Sequence, residues 1–379
     1  MNVACLGYGV VGQGVVELLK KDERFQVSWI LVKDLKECDL PEATTDVQKI
    51  LNDEQVDMVI EMMGGIEFPY FCISEALKRG KHVVTSNKAV LQAHYRELIE
   101  LAKENHVSLG MEASVCGGIP WITTLLNQSE TGEIDHVEGI FNGTTNYILD
   151  RMHAEHLDFD VILKDAQHLG YAEADPSDDI DGKDSLRKLM ISSSIAFKTV
   201  TDMNSFTSES LRKIRKCDIE AFERKGLRCR YIASAQKEEN CYTGSVEPTL
   251  FKSTDVQATI KLNNNLALLN HSALGTLQLI GQGAGRYPTA NAVVQDVVQI
   301  EQKRLGMPQM NQVLYAQSSM QNCRLYVRGS DEVMKVLDSW IIEKEENTGW
   351  TKSITQLQKK ELIEKAMKLD SDFFYAIIK

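Results

Sequence analysis

Short apolar runs alternate with longer amphipathic stretches through the first third of the chain. Residues 3–6 predict a strand, 7–14 a glycine-rich turn and 15–20 the start of a helix. Strand-like runs follow at 26–32, 58–62, 82–85 and 107–111, and helical patterns at 70–78 and 95–105 lie between the later ones. This βαβ rhythm predicts an α/β fold with a Rossmann-type doubly wound parallel sheet. The rhythm breaks near Thr131-Gly132. Residues 134–141 read as a strand leading into a long helical passage, and strands are expected at 230–235, 242–246 and 258–261, with Asn263–Asn265 as a polar turn. That succession suits an α+β domain with a mixed sheet. Residues 290–304 read as one helix. The tail predicts a strand at 324–329, helices at 331–344 and 355–369, and a last strand at 373–378. The expected domains are 1–131, 132–288, a returning helix segment 289–310, and a small module 318–379.

Composition narrows the function classes. In 379 residues, Lys and Arg number 42 and Asp and Glu 54, a formal charge of −12 without a basic block. Nucleic acid and anionic membrane surfaces attract the opposite pattern, so neither is an expected partner. No apolar run reaches the ~18–20 residues of a bilayer span, and MNVACLGYGVVG opens as a strand rather than a signal peptide. The eight cysteines lack a CxxC pair and read as reduced thiols. A cytoplasmic enzyme acting on a small molecule is the expectation.

Gly7, Gly9 and Gly12 have the GxGxxG spacing between a strand and a helix. The first glycine makes the tight turn, the second admits a pyrophosphate to the backbone, and the third brings helix and strand together. The helix start at Val10 and Val11 offers N–H groups to phosphate oxygens. Roughly twenty residues on, Asp34 favours the ribose hydroxyls of NAD(H), whereas Lys33 and Lys36 favour the 2′-phosphate of NADP(H). Lys33 directly follows the strand and tips the reading to NADP(H), with NAD(H) left open.

The segment from Ala166 to Lys188 crowds Glu173, Asp175, Asp178, Asp179, Asp181 and Asp184 into a loop and helix start. Asp184 and Lys188, four apart, project from one helix face. An exposed ion pair would serve no function, but the helix beyond Lys188 is apolar and the acid density suits a substrate carrying an ammonium group. Lys88, in VVTSNKAVL, stands at the carboxyl end of a parallel strand, where ligands bind in such sheets. The loop EASVCGGIP combines Glu112 with turn carbonyls, an oxygen set suited to a hard cation. His153 and His156 lack a third ligand at metal spacing, and Cys116 lacks a paired base.

Together these segments resemble the homoserine dehydrogenase family. Its pattern, A-x3-G-hydrophobic-small and D-P-x2-D-hydrophobic-x-G-x-D-x3-K, is met by Ala166, Gly170, Tyr171, Ala172, Asp175, Pro176, Asp179, Ile180, Gly182, Asp184 and Lys188. TSNKA, EASVCGGIP, FNGTTNYI and GQGAGRYPTANAVVQD occur in the family's order, so the likeness spans about residues 1–307. The resemblance implies reversible NAD(P)H-dependent reduction of L-aspartate 4-semialdehyde to L-homoserine, on the route to threonine, methionine and isoleucine. It implies that Lys188 handles the proton, that Asp184, Glu173 and Asp179 orient the substrate, and that Tyr171 and Thr144 line the site. Lys88 would lie between nicotinamide and substrate and share the proton transfer, and Thr85, Ser86 and Gly285 would meet the cofactor. Glu112 with the carbonyls of Val115, Gly117 and Ile119 resembles a monovalent-cation site, with sodium the expected ion. A homodimer is implied, and the tail looks like a shortened ACT module lacking its central hairpin. The alternatives are another Rossmann reductase of an amino-acid-derived carbonyl, or a catalytically silent nucleotide sensor.

Overall fold

The computed structural model describes residues 1–317 and 321–379. The chain divides into two compact units, Met1–Asp135 with Met190–Thr201 and Leu269–Gln312, and His136–Leu189 with Asp202–Leu268 and Val313–Lys379.

The first unit contains a six-stranded sheet in the order Ala43–Thr44, Gln26–Leu31, Asn2–Leu6, Met58–Glu61, His82–Thr85, Leu109–Gly110. All its pairings are parallel. Strand order reverses on either side of Asn2–Leu6, which opens a crevice at the carboxyl ends of the central strands. Helices cover the sheet, so the central strands are largely apolar, with Val3, Ala4, Cys5 and Leu6 fully buried. The helix Arg286–Glu301 returns to this core: Ala290, Val293, Val297 and Ile300 share one apolar cluster with Val15, Val16 and Leu19. At Gly14 a side chain would meet the Ala290 Cβ at 3.0 Å, so the helix Val10–Leu19 needs a glycine there for close packing.

The second unit carries a mixed sheet. Its order runs Asn264–His271, Ile134–Ile140, Leu227–Glu238, Cys241–Lys252, Phe374–Ile378, Arg324–Arg328, Thr348–Thr351, Ile341–Glu345. Two expectations fail here. Residues 258–261 are not a strand: the chain makes a short helix, Val256–Thr259. Asn264 and Asn265, expected in a turn, open the following strand, and Asn265 is wholly buried. The asparagine run masked a strand whose next four residues, Leu266 to Leu269, are apolar.

The tail differs in one element. The helix Asp331–Val336 is short, and Ile341–Glu345 pairs antiparallel with Thr348–Thr351 across a turn where Glu346 has φ 47°. The hairpin expected to be missing is therefore present, because β-forming Trp340, Ile341 and Ile342 override the helical pattern. The tail is a βαββαβ unit (residues 318–320, the first of the expected module, lie outside the described residues). Two buried charge clusters fasten it within its unit. Asp218 accepts from Arg328 Nε at 2.8 Å and Tyr326 OH at 2.7 Å. Glu247 Oε1 accepts from Lys359 Nζ at 2.5 Å and Tyr375 OH at 2.7 Å. Glu209, largely buried, is pushed up to about 7 by burial and by the Glu247 charge, against the pull of Lys213 and Lys359.

Candidate active site

The glycine turn follows the buried strand Asn2–Leu6. Gly7 takes φ +99°, and a Cβ there would stand 2.9 Å from the Met62 carbonyl oxygen. A Cβ on Gly12 would lie 2.2 Å from the Gly7 carbonyl oxygen, so the helix Val10–Leu19 can begin against the turn only with glycine at this point. Around Gly9 no atom lies within 4 Å of a Cβ position, and Gly9 makes no side-chain cap for the helix. Open space thus faces uncapped helix N–H groups. This cradle fits a pyrophosphate. Val10 is exposed and Val11 half-buried at the same helix start. Lys33 is exposed, whereas the Asp34 carboxylate accepts the Lys36 N–H at 2.9 Å and caps its own turn.

At the end of His82–Thr85, a buried carboxylate organises the chain. Glu61 Oε2 accepts the Thr85 hydroxyl at 2.5 Å, and its Oε1 accepts the Met63 N–H at 2.7 Å. The Ser86 N–H donates to the Glu61 carbonyl at 3.1 Å. Asn87 accepts from Ala89 and Val90 N–H, capping the helix Lys88–Glu104, and donates to the Gly65 carbonyl at 2.9 Å. Lys88 is therefore the first residue of a fixed helix. Burial pushes the Glu61 carboxyl up. Sequence reading missed Glu61 and Asn87; the available signal was an acid closing the otherwise apolar strand Met58–Glu61.

In the loop after Leu109–Gly110, the buried Glu112 carboxylate accepts the Ile122 and Thr123 N–H groups at 2.8 Å each, capping the helix Trp121–Thr131. Cys116 and Gly117 have φ 60° and 51°, folding the main chain sharply around Val115, Gly117 and Ile119. The Ile119 carbonyl accepts the Trp121 N–H at 2.7 Å. A Cβ on Gly117 would overlap the Gly283 carbonyl oxygen at 2.4 Å, so this loop is clasped to the returning segment that ends in Gly285. Gly285, at φ +122°, precedes the helix Arg286–Glu301.

The second unit gathers the lysine site. Lys188 Nζ donates to Asp184 Oδ2 at 2.7 Å and to the Phe141 carbonyl at 2.6 Å. The pair is largely buried, with side chains 12% and 7% exposed, so it is no surface ion pair. Asp179 joins it through Asn142, whose amide nitrogen donates to Asp179 Oδ1 at 2.6 Å and Asp184 Oδ2 at 2.9 Å. Burial and the Asp184 charge push the Asp179 carboxyl up. The Thr144 hydroxyl donates to the Tyr171 carbonyl at 2.7 Å, holding Tyr171, itself partly exposed, beside the cluster.

The other loop acids have structural work. Asp175 accepts the Ser177 N–H, Asp178 pairs with Arg187 and Asp181 with Arg212. Glu173 is exposed on the loop, its main-chain carbonyl accepting from Gln167. His153 is a satisfied core residue: burial pushes it down to about 4, Nδ1 contacts Glu223 at 2.9 Å, and Nε2 accepts the Cys229 N–H at 2.9 Å. Among the described residues, no group of three or more His, Cys, Asp or Glu could hold a metal ion. Among them, too, no helix is long and apolar enough to cross a membrane.

Comparison with known proteins gives concordant matches over both units. Residues 7–112 match the model for the NAD binding domain of homoserine dehydrogenase, and 120–298 match the homoserine dehydrogenase model. The chain is 36% identical to the homoserine dehydrogenase of Bacillus subtilis (strain 168) over 81% of its length and 74% of that protein. It is 38% identical to the one from Corynebacterium glutamicum, over 79% of this chain and 71% of that one. The crystal structure of a homoserine dehydrogenase from Thiobacillus denitrificans superposes with TM-score 0.90 at 27% identity, covering 100% of this chain and 98% of the other.

Proposed function

The chain belongs to the homoserine dehydrogenase family, and on that premise we propose which of its residues carry the reaction. It is an oxidoreductase with a nicotinamide-binding domain, and it interconverts L-aspartate 4-semialdehyde and L-homoserine on the route to threonine, methionine and isoleucine. The observation that carries the residue assignment is the buried Lys188–Asp184 contact tied through Asn142 to Asp179.

A bound nicotinamide supplies or accepts the hydride. Everything else falls to the protein. In the reducing direction the Lys188 ammonium stabilises the developing alkoxide and gives it a proton; in the oxidising direction the amine takes the proton back. Asp184 aims that lysine and favours its charged form. Asp179, Asp184 and Glu173 provide the anionic surroundings for the substrate ammonium, and Thr144 and Tyr171 shape the wall beside them. Lys88, fixed at its helix start, is assigned to the same proton transfer.

For the cofactor, Gly7, Gly9, Gly12, Val10 and Val11 would hold the pyrophosphate, with Thr85, Ser86, Lys88 and Gly285 against the remainder. Lys33 supports NADP(H), since Asp34 is already committed to a turn. A monovalent cation, with sodium the favoured ion, would sit at Glu112, Val115, Gly117 and Ile119. The Glu112 carboxylate already accepts two N–H groups, so the main-chain oxygens would carry most of that coordination. A homodimer is supported by the strand Gly275–Gln282, which exposes Ile280, and by the exposed Leu274 just before it. The βαββαβ tail supports an ACT-like module for residues 318–379. Domain roles follow: 1–131 for the dinucleotide, 132–288 for substrate and assembly, and 289–310 returning to the first. Free thiols at all eight cysteines suit a cytoplasmic setting.

The test is an absorbance assay of L-homoserine with NADP⁺ and NAD⁺ in turn, with sodium replaced by choline at constant ionic strength and with threonine added. Turnover faster with NADP⁺ and dependent on sodium is expected. A silent protein would overturn the assignment of Lys188.

A further inference from the structure

Asn142 sits at the turn between the strand Ile134–Ile140 and the helix Gly143–Glu155, and its amide makes three hydrogen bonds, one accepted and two donated. Its Oδ1 accepts the Thr145 N–H at 2.9 Å, which caps the helix and fixes which way the amide faces. The amide nitrogen must then point at the carboxylates, reaching Asp179 at 2.6 Å and Asp184 at 2.9 Å. Asp184 Oδ2 receives Asn142 and Lys188 together. The other acceptor of Lys188 is the carbonyl of Phe141, the residue just before Asn142. The Asp184 oxygen that aims the lysine is thus held by the Asn142 amide, and the other aiming oxygen belongs to the residue next to it in the chain.

We infer that Asn142 is a positioning residue for the Asp179–Asp184–Lys188 group, spacing two anions with a neutral donor so that Lys188 keeps a working proton affinity. The inference rests on the assignment of Lys188 above. A cap alone could be supplied by Asp, Ser or Thr. What those residues lack is a two-hydrogen donor, and two adjacent carboxylates without one repel each other and hold the lysine proton more tightly. The charged groups of the cluster come from two neighbouring helices. Asp184 and Lys188 come from the helix Lys183–Ala196, and Asp179 from Ser177–Ile180. The Asp178–Arg187 and Asp181–Arg212 pairs flank it.

Asn142→Asp keeps the shape and the cap, exchanges the donor for a charge, and so separates the two roles. In L-homoserine oxidation, the rising limb of kcat/KM against pH should move upward by about one unit, a roughly tenfold loss along that limb. Asn142→Ser, which caps without adding charge, should show a smaller shift in the same direction. A second readout needs no turnover: acetylation of Lys188, followed by mass spectrometry across pH, should slow about tenfold in Asn142→Asp. Wild-type pH profiles and labelling rates in both variants would overturn the inference. Absence of L-homoserine turnover in the parent protein would instead count against the proposed function, while the labelling comparison would still judge Asn142.

Discussion

At the glycine turn of the first unit the working surface is main chain. Gly7 and Gly12 leave no room for a Cβ, and Gly9 faces open space. At the lysine cluster of the second unit the working surface is charge: two carboxylates, one ammonium and an amide joined in one chain of hydrogen bonds. The first arrangement fails when atoms are added. The second fails when charges are removed or their balance altered, and it is the one that responds to pH.

The sharpest test of that contrast removes the ammonium. Lys188→Ala should lower kcat for L-homoserine by roughly 10³–10⁴-fold, the upper range for a lost acid–base group. Cofactor affinity, measured by fluorescence titration with NADPH, should stay at the parent value. Weakened cofactor binding in that variant would break the separation of the two sites.

The complementary test adds a single methyl group. Gly12→Ala must displace main chain, because the new Cβ would lie 2.2 Å from the Gly7 carbonyl oxygen. Strain of about 1–3 kcal/mol should lower both the melting temperature and the dinucleotide affinity, the latter roughly tenfold to a hundredfold. Gly9→Ala has no protein neighbour to strike. It should melt with the parent protein and yet bind the dinucleotide more weakly. Equal melting losses in both variants would show that Gly9 serves packing.

Charge responds to pH elsewhere in the second unit as well, beside the Glu247–Lys359 contact, where the Glu209 carboxyl is raised from 4.5 to about 7. Its contribution to stability is full below its unfolded value and is lost as pH rises through the folded one. Glu209→Gln should therefore match the parent near pH 4.5, gain on it between about 4.5 and 7, and stay more stable above pH 7 by about 1–3 kcal/mol. Urea melts across that range give the comparison, and a constant difference would exclude titration of Glu209.

These two kinds of site were unequally legible. GxGxxG declares its geometry because each glycine answers a local steric demand, and Asp184 and Lys188 declare theirs through helical spacing. Asn142 did not, since its carboxylate partners lie 37 and 42 residues away and its local pattern is that of an ordinary cap. Charge density in the loop overstated function: Asp175, Asp178 and Asp181 hold a turn or an arginine. In the fold, the parallel strands were legible from apolar runs. The hairpin Ile341–Glu345 to Thr348–Thr351 was hidden by charges at Glu343, Lys344 and Glu345 that read equally well as a helix face.

The smallest expected effect lies where the two modes of construction meet in one ligand. The pyrophosphate cradle is shape, but the choice between NADP(H) and NAD(H) is charge, and Lys33 offers it from an exposed position after the strand Gln26–Leu31. An exposed cation near a phosphate contributes about 1 kcal/mol or less, so Lys33→Ala should weaken NADPH about fivefold and leave NADH unchanged. Because the contact is solvated, raising the salt should shrink the difference between parent and variant. A variant that loses both cofactors equally, at low and high salt, would place Lys33 in the shape of the turn and make the cradle alone responsible for dinucleotide affinity.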